Sequence, residues 1–266
     1  MLHGITLEAG IWQYQLQDLA DRFRVIAVDL RGHGHSRAGC DGYGLTRVAR
    51  DISTVLSRLD LRATIIVGHS MGGMALMRFC ADDPVALDER VAGLVFLATT
   101  TGFAAPVLGN TVLRYASRAA IRWGDKRAWK GVPAYRFPPN TLTFAMIRRT
   151  FGARPSPTHI ELVRRMLVDV PADCFLPAGF SLLDHDPRSE LAETGTPSLV
   201  IVGSHDHVTP ARHARRLAAL LPRARLEVLV GCGHQVMLER RADLAALVTA
   251  FARENATVRV GPNGHR

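Results

Sequence analysis

Ala63-Thr64-Ile65-Ile66-Val67-Gly68-His69-Ser70-Met71-Gly72-Gly73 is the stretch on which the fold of this chain turns. A short apolar, β-branched run ends in glycine, and a helical pattern begins at Met71 and continues to Ala81. Such a run, without alternation, predicts a strand covered on both faces. Gly68-His69-Ser70-Met71-Gly72 is a G-x-S-x-G pattern. A strand before it and a helix behind it are the context in which the pattern carries chemistry. A sharp strand-to-helix turn forces the serine into a strained backbone conformation, so the flanking positions need glycine. The turn lifts the Ser70 hydroxyl above the sheet edge. It also leaves the Met71 N–H at the helix start, where it can donate to a developing oxyanion. The competing reading is a glycine-rich turn with an incidental serine, and the strand and helix on either side weigh against it.

Outward from this turn the same rhythm repeats. Strands are expected at Arg24–Asp29, Ala63–Val67, Val91–Leu97, Ser198–Val202 and Leu226–Val230. Helices are expected at Leu45–Leu59, Met71–Ala81, Ala211–Leu221 and Leu244–Ala252. Strands alternating with helices predict an α/β protein with a mostly parallel sheet flanked by helices, with its site at the carboxyl ends of the strands. The rhythm breaks between Thr101 and Arg188, where nine prolines interrupt helical patches. This segment reads as an insertion. Residues 1–100 and 189–255 then form the core, and 256–266 a loose tail.

A serine hydroxyl is a weak nucleophile and needs a base that is itself oriented by an acid. After such a turn the acid precedes the histidine in the chain. Gly203-Ser204-His205-Asp206 follows the fourth strand and makes Asp206 the candidate acid. Gly231-Cys232-Gly233-His234 follows the fifth and makes His234 the candidate base. A helix cap competes for Asp206, and a surface-loop histidine competes for His234. The pairs His33/His35 and His205/His207 invite a metal reading, but a metal site needs three or four ligands with support behind them. No metal and no cofactor is expected.

The chain has 266 residues and a net charge of +9, with 47% apolar residues, enough for one large domain with a sizeable core. Cys40, Cys80, Cys174 and Cys232 are scattered and read as separate thiols. The start lacks a secretory pattern, and no apolar run reaches about 18 residues. A cytoplasmic location is the expectation. No recognition motif accompanies the basic charge, so nucleic acid is not expected as a partner.

Together these residues resemble the α/β-hydrolase superfamily, in its lipase, esterase and cofactor-free haloperoxidase-like branches, over most of the chain. His3-Gly4 is similar to the family's HG turn, and the resemblance implies that the Ile5 amide is a second oxyanion donor. Trp12 matches the usual tryptophan of the next helix. Asp29-Leu30-Arg31-Gly32-His33-Gly34-His35-Ser36 matches the family's D-x-R-G-x-G-x-S loop. The family's fold would make residues 101–188 a cap over the site. In the family's sheet a further strand, preceding the HG turn, lies between those matching Val25–Val28 and Ile65–Val67. Only Met1 and Leu2 precede the turn here, so the given start is expected to be internal to a longer chain, with a central gap in the sheet.

The segment 101–188 carries +7 of the +9 and ten of the seventeen aromatic residues. Arg114, Arg118 and Arg122 share one helical face, and Leu113, Ala116, Ala120 and Trp123 another. That pattern suits peripheral contact with an anionic membrane or lipid, or simply a helix whose apolar side roofs the site. The expected function is hydrolysis of a small apolar carboxylic ester by Ser70, His234 and Asp206, with Met71 and Ile5 holding the oxyanion. C–C bond hydrolysis and perhydrolysis on the same residues, and a binding protein without activity, are the alternatives.

Overall fold

The computed structural model describes residues 1–37, 42–102, 140–170, 172–183 and 185–256. Four parallel strands form its sheet among these residues: β1 (Thr64–His69), β2 (Val91–Leu97), β3 (Ser198–Gly203) and β4 (Ala224–Leu229), in that spatial order. β2 and β3 are buried at every residue. This is why they read as continuous apolar runs rather than alternating ones.

Helices cover both faces. Before β1 come α1 (Gln13–Leu19) and α2 (Leu45–Arg58). Between β1 and β2 lie α3 (Met71–Asp82) and α4 (Pro84–Arg90). Between β2 and β3 the described helices are α5 (Thr141–Arg148), α6 (Pro157–Asp169), α7 (Ala172–Leu183) and α8 (Arg188–Leu191). α9 (Ala211–Leu220) joins β3 to β4, and α10 (Val236–Glu239) and α11 (Arg241–Ala256) close the chain. α2 shows how pattern becomes packing. Leu45, Val48, Ala49, Ile52 and Leu56 recur at helical spacing and are the residues it buries. They join Met74, Met77 and Leu94 in one apolar cluster on that side of the sheet. Trp12, Val95, Leu97 and Phe251 belong to the cluster on the other side.

One expected strand does not form. Residues 24–27 have no ladder, and Val28 makes only an isolated parallel bridge to Leu2. Leu2 is bridged in parallel to Gly68 as well. Its N–H donates to the Val67 carbonyl at 2.8 Å and its carbonyl accepts from the His69 N–H at 2.9 Å. Leu2 therefore stands where a strand between residues 24–28 and β1 would stand. Beyond it the two segments face each other across an apolar groove of about 530 Å³, whose walls include Val25, Ile26, Ile65 and Ile66. A strand exists by its ladder, and this run meets only Met1 and Leu2: the Ile26 carbonyl accepts from the Met1 amino group at 2.7 Å and the Val28 N–H donates to the Met1 carbonyl at 3.2 Å. The basic helical face expected over residues 113–123, the tail beyond Ala256 and Cys40 lie outside the described residues. Among the described residues no helix is long and apolar enough to cross a membrane.

Leu94 sits at the middle of β2, paired with Ile66 on one side and Ser198 on the other, and is fully buried. Leu94→Ala is expected to cost about 2–5 kcal/mol of unfolding free energy, read from urea denaturation. A loss below about 1 kcal/mol would contradict this description of the core.

Candidate active site

Ser70 is the single residue between β1 and α3, with φ 50° and ψ −116°. A side chain in that region costs on the order of 1–3 kcal/mol, so its surroundings must hold it there. Three hydrogen bonds do so. The Ser70 N–H donates to the Leu97 carbonyl at 3.0 Å. The Ser70 carbonyl accepts from the Met74 N–H at 3.0 Å and from the Thr99 hydroxyl at 2.7 Å. Close approach adds a further constraint. A Cβ on Gly72 would lie 2.6 Å from the Leu2 carbonyl oxygen and 2.7 Å from that of His3. The first turn of α3 thus rests directly on the backbone of residues 2–3. The helix has no side-chain cap, so its first N–H groups, that of Met71 included, have no intrahelical partner.

Asp206 lies after β3 and His234 after β4, both buried. The His234 Nδ1 donates to the Asp206 Oδ2 at 2.8 Å. The same carboxylate accepts from the N–H groups of Val208 and Thr209 and from the Thr209 hydroxyl, each at 2.8 Å. Burial alone would push the Asp206 carboxyl up. The His234 charge and hydrogen bond, with those from Thr209, outweigh it and hold the carboxyl well below the usual range. α9 begins at Ala211, and its N-cap position is Pro210, so Asp206 does not cap that helix. The Ser70 hydroxyl has no hydrogen-bond partner among the described residues in this conformation. Such contacts often tighten only with substrate bound.

The turn at His3-Gly4 is built by one imidazole. His3 Nε2 accepts from the Leu30 N–H at 2.9 Å, so the proton is on Nδ1, which donates to the Gly4 carbonyl at 2.8 Å. Burial pushes His3 down to about 3, with the nearby His33 adding to the effect, and keeps it neutral. A trans peptide points its N–H opposite to its carbonyl. Holding the Gly4 carbonyl therefore fixes the direction of the Ile5 N–H. Gly4 packs against the Ser70 turn, since a Cβ there would be 3.1 Å from the Ser70 Cβ and 2.9 Å from His69 Nδ1.

Two residues in this arrangement carry no signal of their own in the sequence. His3 is visible only as part of a dipeptide. His69 is the unspecified second residue of the G-x-S-x-G pattern. Its Nε2 donates to the His234 carbonyl at 3.0 Å, and the two rings lie 4.8 Å apart. Burial, then the His234 charge, pushes His69 well below the ordinary histidine range. Among the described residues the histidines of the two H-x-H pairs join no group of three or more possible metal ligands. His33 is buried edge-on against the His3 ring, while the His35 side chain is in solvent. His205 and His207 are exposed. The rest of the loop that holds His33 and His35 serves the fold: Asp29 accepts from the N–H groups of Ala9 and His35, and Arg31 grips Asp51 with two nitrogens. Cys232 is buried, and burial pushes its thiol up, away from the thiolate form.

Over residues 1–241 the chain matches the family described as α/β hydrolase fold, and it belongs to that family. It is 30% identical over 244 residues to a pimeloyl-[acyl-carrier protein] methyl ester esterase of Nitrosomonas europaea, covering 90% of this chain and 88% of the relative. It is 28% identical to the non-heme chloroperoxidase CPO-A1 of Kitasatospora aureofaciens, over 89% of this chain and 84% of the relative. A thermophilic esterase from Thermogutta terrifontis shares the fold, with a TM-score of 0.76 at 24% identity, over 95% of this chain and 88% of that one.

The Asp206 carboxyl is held below its unfolded value, so its contribution to stability is complete above about pH 4 and is lost as the pH falls through lower values. Urea unfolding between about pH 7 and about pH 3 should therefore show a smaller acid loss for Asp206→Asn than for the wild type. Equal acid losses would mean that the carboxylate is not held by these donors as described.

Proposed function

We propose that this protein hydrolyses carboxylic esters with an apolar acyl or alcohol group, through an acyl-enzyme on Ser70. Ser70 Oγ attacks the carbonyl carbon as His234 Nε2 takes the hydroxyl proton. Asp206 keeps its hydrogen bond to Nδ1 and stabilises the imidazolium. The carbonyl oxygen becomes an oxyanion and receives hydrogen bonds from the Met71 and Ile5 amides. The tetrahedral intermediate collapses, the C–O bond to the alcohol breaks, and His234 returns the proton to the leaving oxygen. A water then gives its proton to His234 and attacks the acyl carbon, which releases the acid and restores Ser70.

The observation that carries this reading is the buried 2.8 Å Asp206–His234 hydrogen bond, held against the residue next to a strained serine. Such a pair engages Nδ1 with the carboxylate and leaves Nε2 as the nitrogen that takes the Ser70 proton. The esterase relative supports an ester as the substrate class. The chloroperoxidase relative favours a second reading, perhydrolysis, in which hydrogen peroxide replaces water as the acceptor of the acyl group. The basic charge of residues 101–188 suits contact with an anionic lipid surface, which salt-dependent vesicle binding would test.

A fluorophosphonate probe should label the wild type at Ser70 and leave Ser70→Ala unlabelled. On p-nitrophenyl esters of graded chain length, Ser70→Ala and His234→Ala should each lower kcat by about 10⁴-fold or more. An unchanged rate in Ser70→Ala refutes the mechanism. Peracid formation from acid and hydrogen peroxide, measured alongside, separates the two readings.

A further inference from the structure

We propose that Glu239 is a positioning residue for the reaction, its carboxylate fixing the His234 loop against the turn between α5 and α6. The inference rests on the catalytic reading of Ser70 and His234 given above, and it assigns a role to a residue that touches neither substrate nor the reacting atoms.

Glu239 is the last residue of α10, five positions after His234. Its Oε1 accepts from the Gly233 N–H at 3.0 Å and its Oε2 accepts from the Gly152 N–H at 2.7 Å. One carboxylate therefore joins the residue before the catalytic histidine to a turn far away in the chain. The two backbones meet with no room for side chains. A Cβ on Gly233 would lie 2.4 Å from the Phe151 carbonyl carbon, and one on Gly152 would lie 2.1 Å from the Gly231 oxygen. A buried N–H without an acceptor costs about 1–3 kcal/mol, so a contact this close needs an acceptor reaching both amides. Burial pushes the Glu239 carboxyl up, and its bonds to the amides of Gly152, Gly233 and Gln235 act in the opposite direction.

The same seam grips His234 itself. Its N–H donates to the Thr150 carbonyl at 2.7 Å, and its carbonyl accepts from His69. Gln235 adds a side-chain bond to the Thr150 hydroxyl at 3.3 Å. Asp206 and the Thr209 hydroxyl both meet the imidazole at Nδ1, and the His69 ring lies 4.8 Å away, so no side chain among these reaches Nε2. Aim toward Ser70 therefore depends also on the main chain, which is held by the carboxylate of Glu239 and the Thr150 carbonyl. Few other side chains can replace Glu239. Gln keeps one acceptor oxygen, but its NH₂ group would face a second N–H donor. Asp is one methylene shorter.

The test compares wild type, Glu239→Gln and Glu239→Ala in ester hydrolysis, with kcat and KM resolved, and in the rate of fluorophosphonate labelling. Urea midpoints establish that each variant is folded under assay conditions. A misplacement of the base by about 1 Å lowers kcat by about 10²-fold, so Glu239→Ala should lose roughly 10- to 100-fold in kcat and in labelling rate. KM should stay within about twofold, and Glu239→Gln should fall between Ala and wild type. A folded Glu239→Ala with kcat within about twofold of wild type overturns the assignment, as does a rise in KM with kcat unchanged. If Glu239→Ala does not fold, Glu239→Gln decides: wild-type kcat and labelling there overturn the proposal. A wild type that fails to label removes the serine mechanism and this assignment with it. Equal labelling of wild type and variant removes the assignment alone.

Discussion

Two hydrogen bonds to the Ser70 carbonyl, from the Met74 N–H and the Thr99 hydroxyl, hold in place a residue that would otherwise relax. Around that residue the rest of the molecule is arranged. β1 must end at His69 and α3 must start at Met71, because the strained turn allows nothing between. The loop after β2 must bring Thr99 to the turn, and the chain start must bring the backbone of Leu2 and His3 against Gly72. The sheet supplies the rigidity: β2 lies between β1 and β3 with every residue buried, so the ends of these strands hold their places relative to one another. Strain of about 1–3 kcal/mol is sustainable only on such a frame.

A second feature is how many buried polar groups do orienting work while uncharged. His3 is kept neutral and sets the Gly4–Ile5 peptide through one ring nitrogen, while the other takes the Leu30 amide. His69 is kept below its ordinary range and holds the His234 carbonyl. Neither requires a counter-ion. Asp206 differs: its carboxylate stays ionised in a buried place because four donors meet it. A buried charge without such partners would cost several kcal/mol.

The element order could be read from the chain because each element announces itself locally. Val91–Leu97 is a strand over the full length of its apolar run, and the helices at Leu45 and Met71 start where the pattern starts. The run at Arg24–Asp29 also has an apolar, β-branched centre and forms no ladder, since a ladder depends on a neighbour that composition cannot supply. The residues after β1, β3 and β4 stand out because glycines cluster there. His69 and Glu239 do not stand out: one fills a position that the G-x-S-x-G pattern leaves open, and the other is an ordinary acidic residue at a helix end.

By itself the sequence determined the periodicities, the glycine-flanked serine, and the order of Ser70, Asp206 and His234 behind their strands. These are matters of local sterics and of side-chain spacing along one segment. Only the tertiary structure decided which of two neighbouring histidines goes inside, as with His33 and His35, and that Leu2 bridges two segments across a groove. It alone decided that one carboxylate ties Gly152 to Gly233. Each of these depends on how closely segments distant in the chain approach, and that distance is set by packing of the whole sheet and its helices rather than by any stretch of residues.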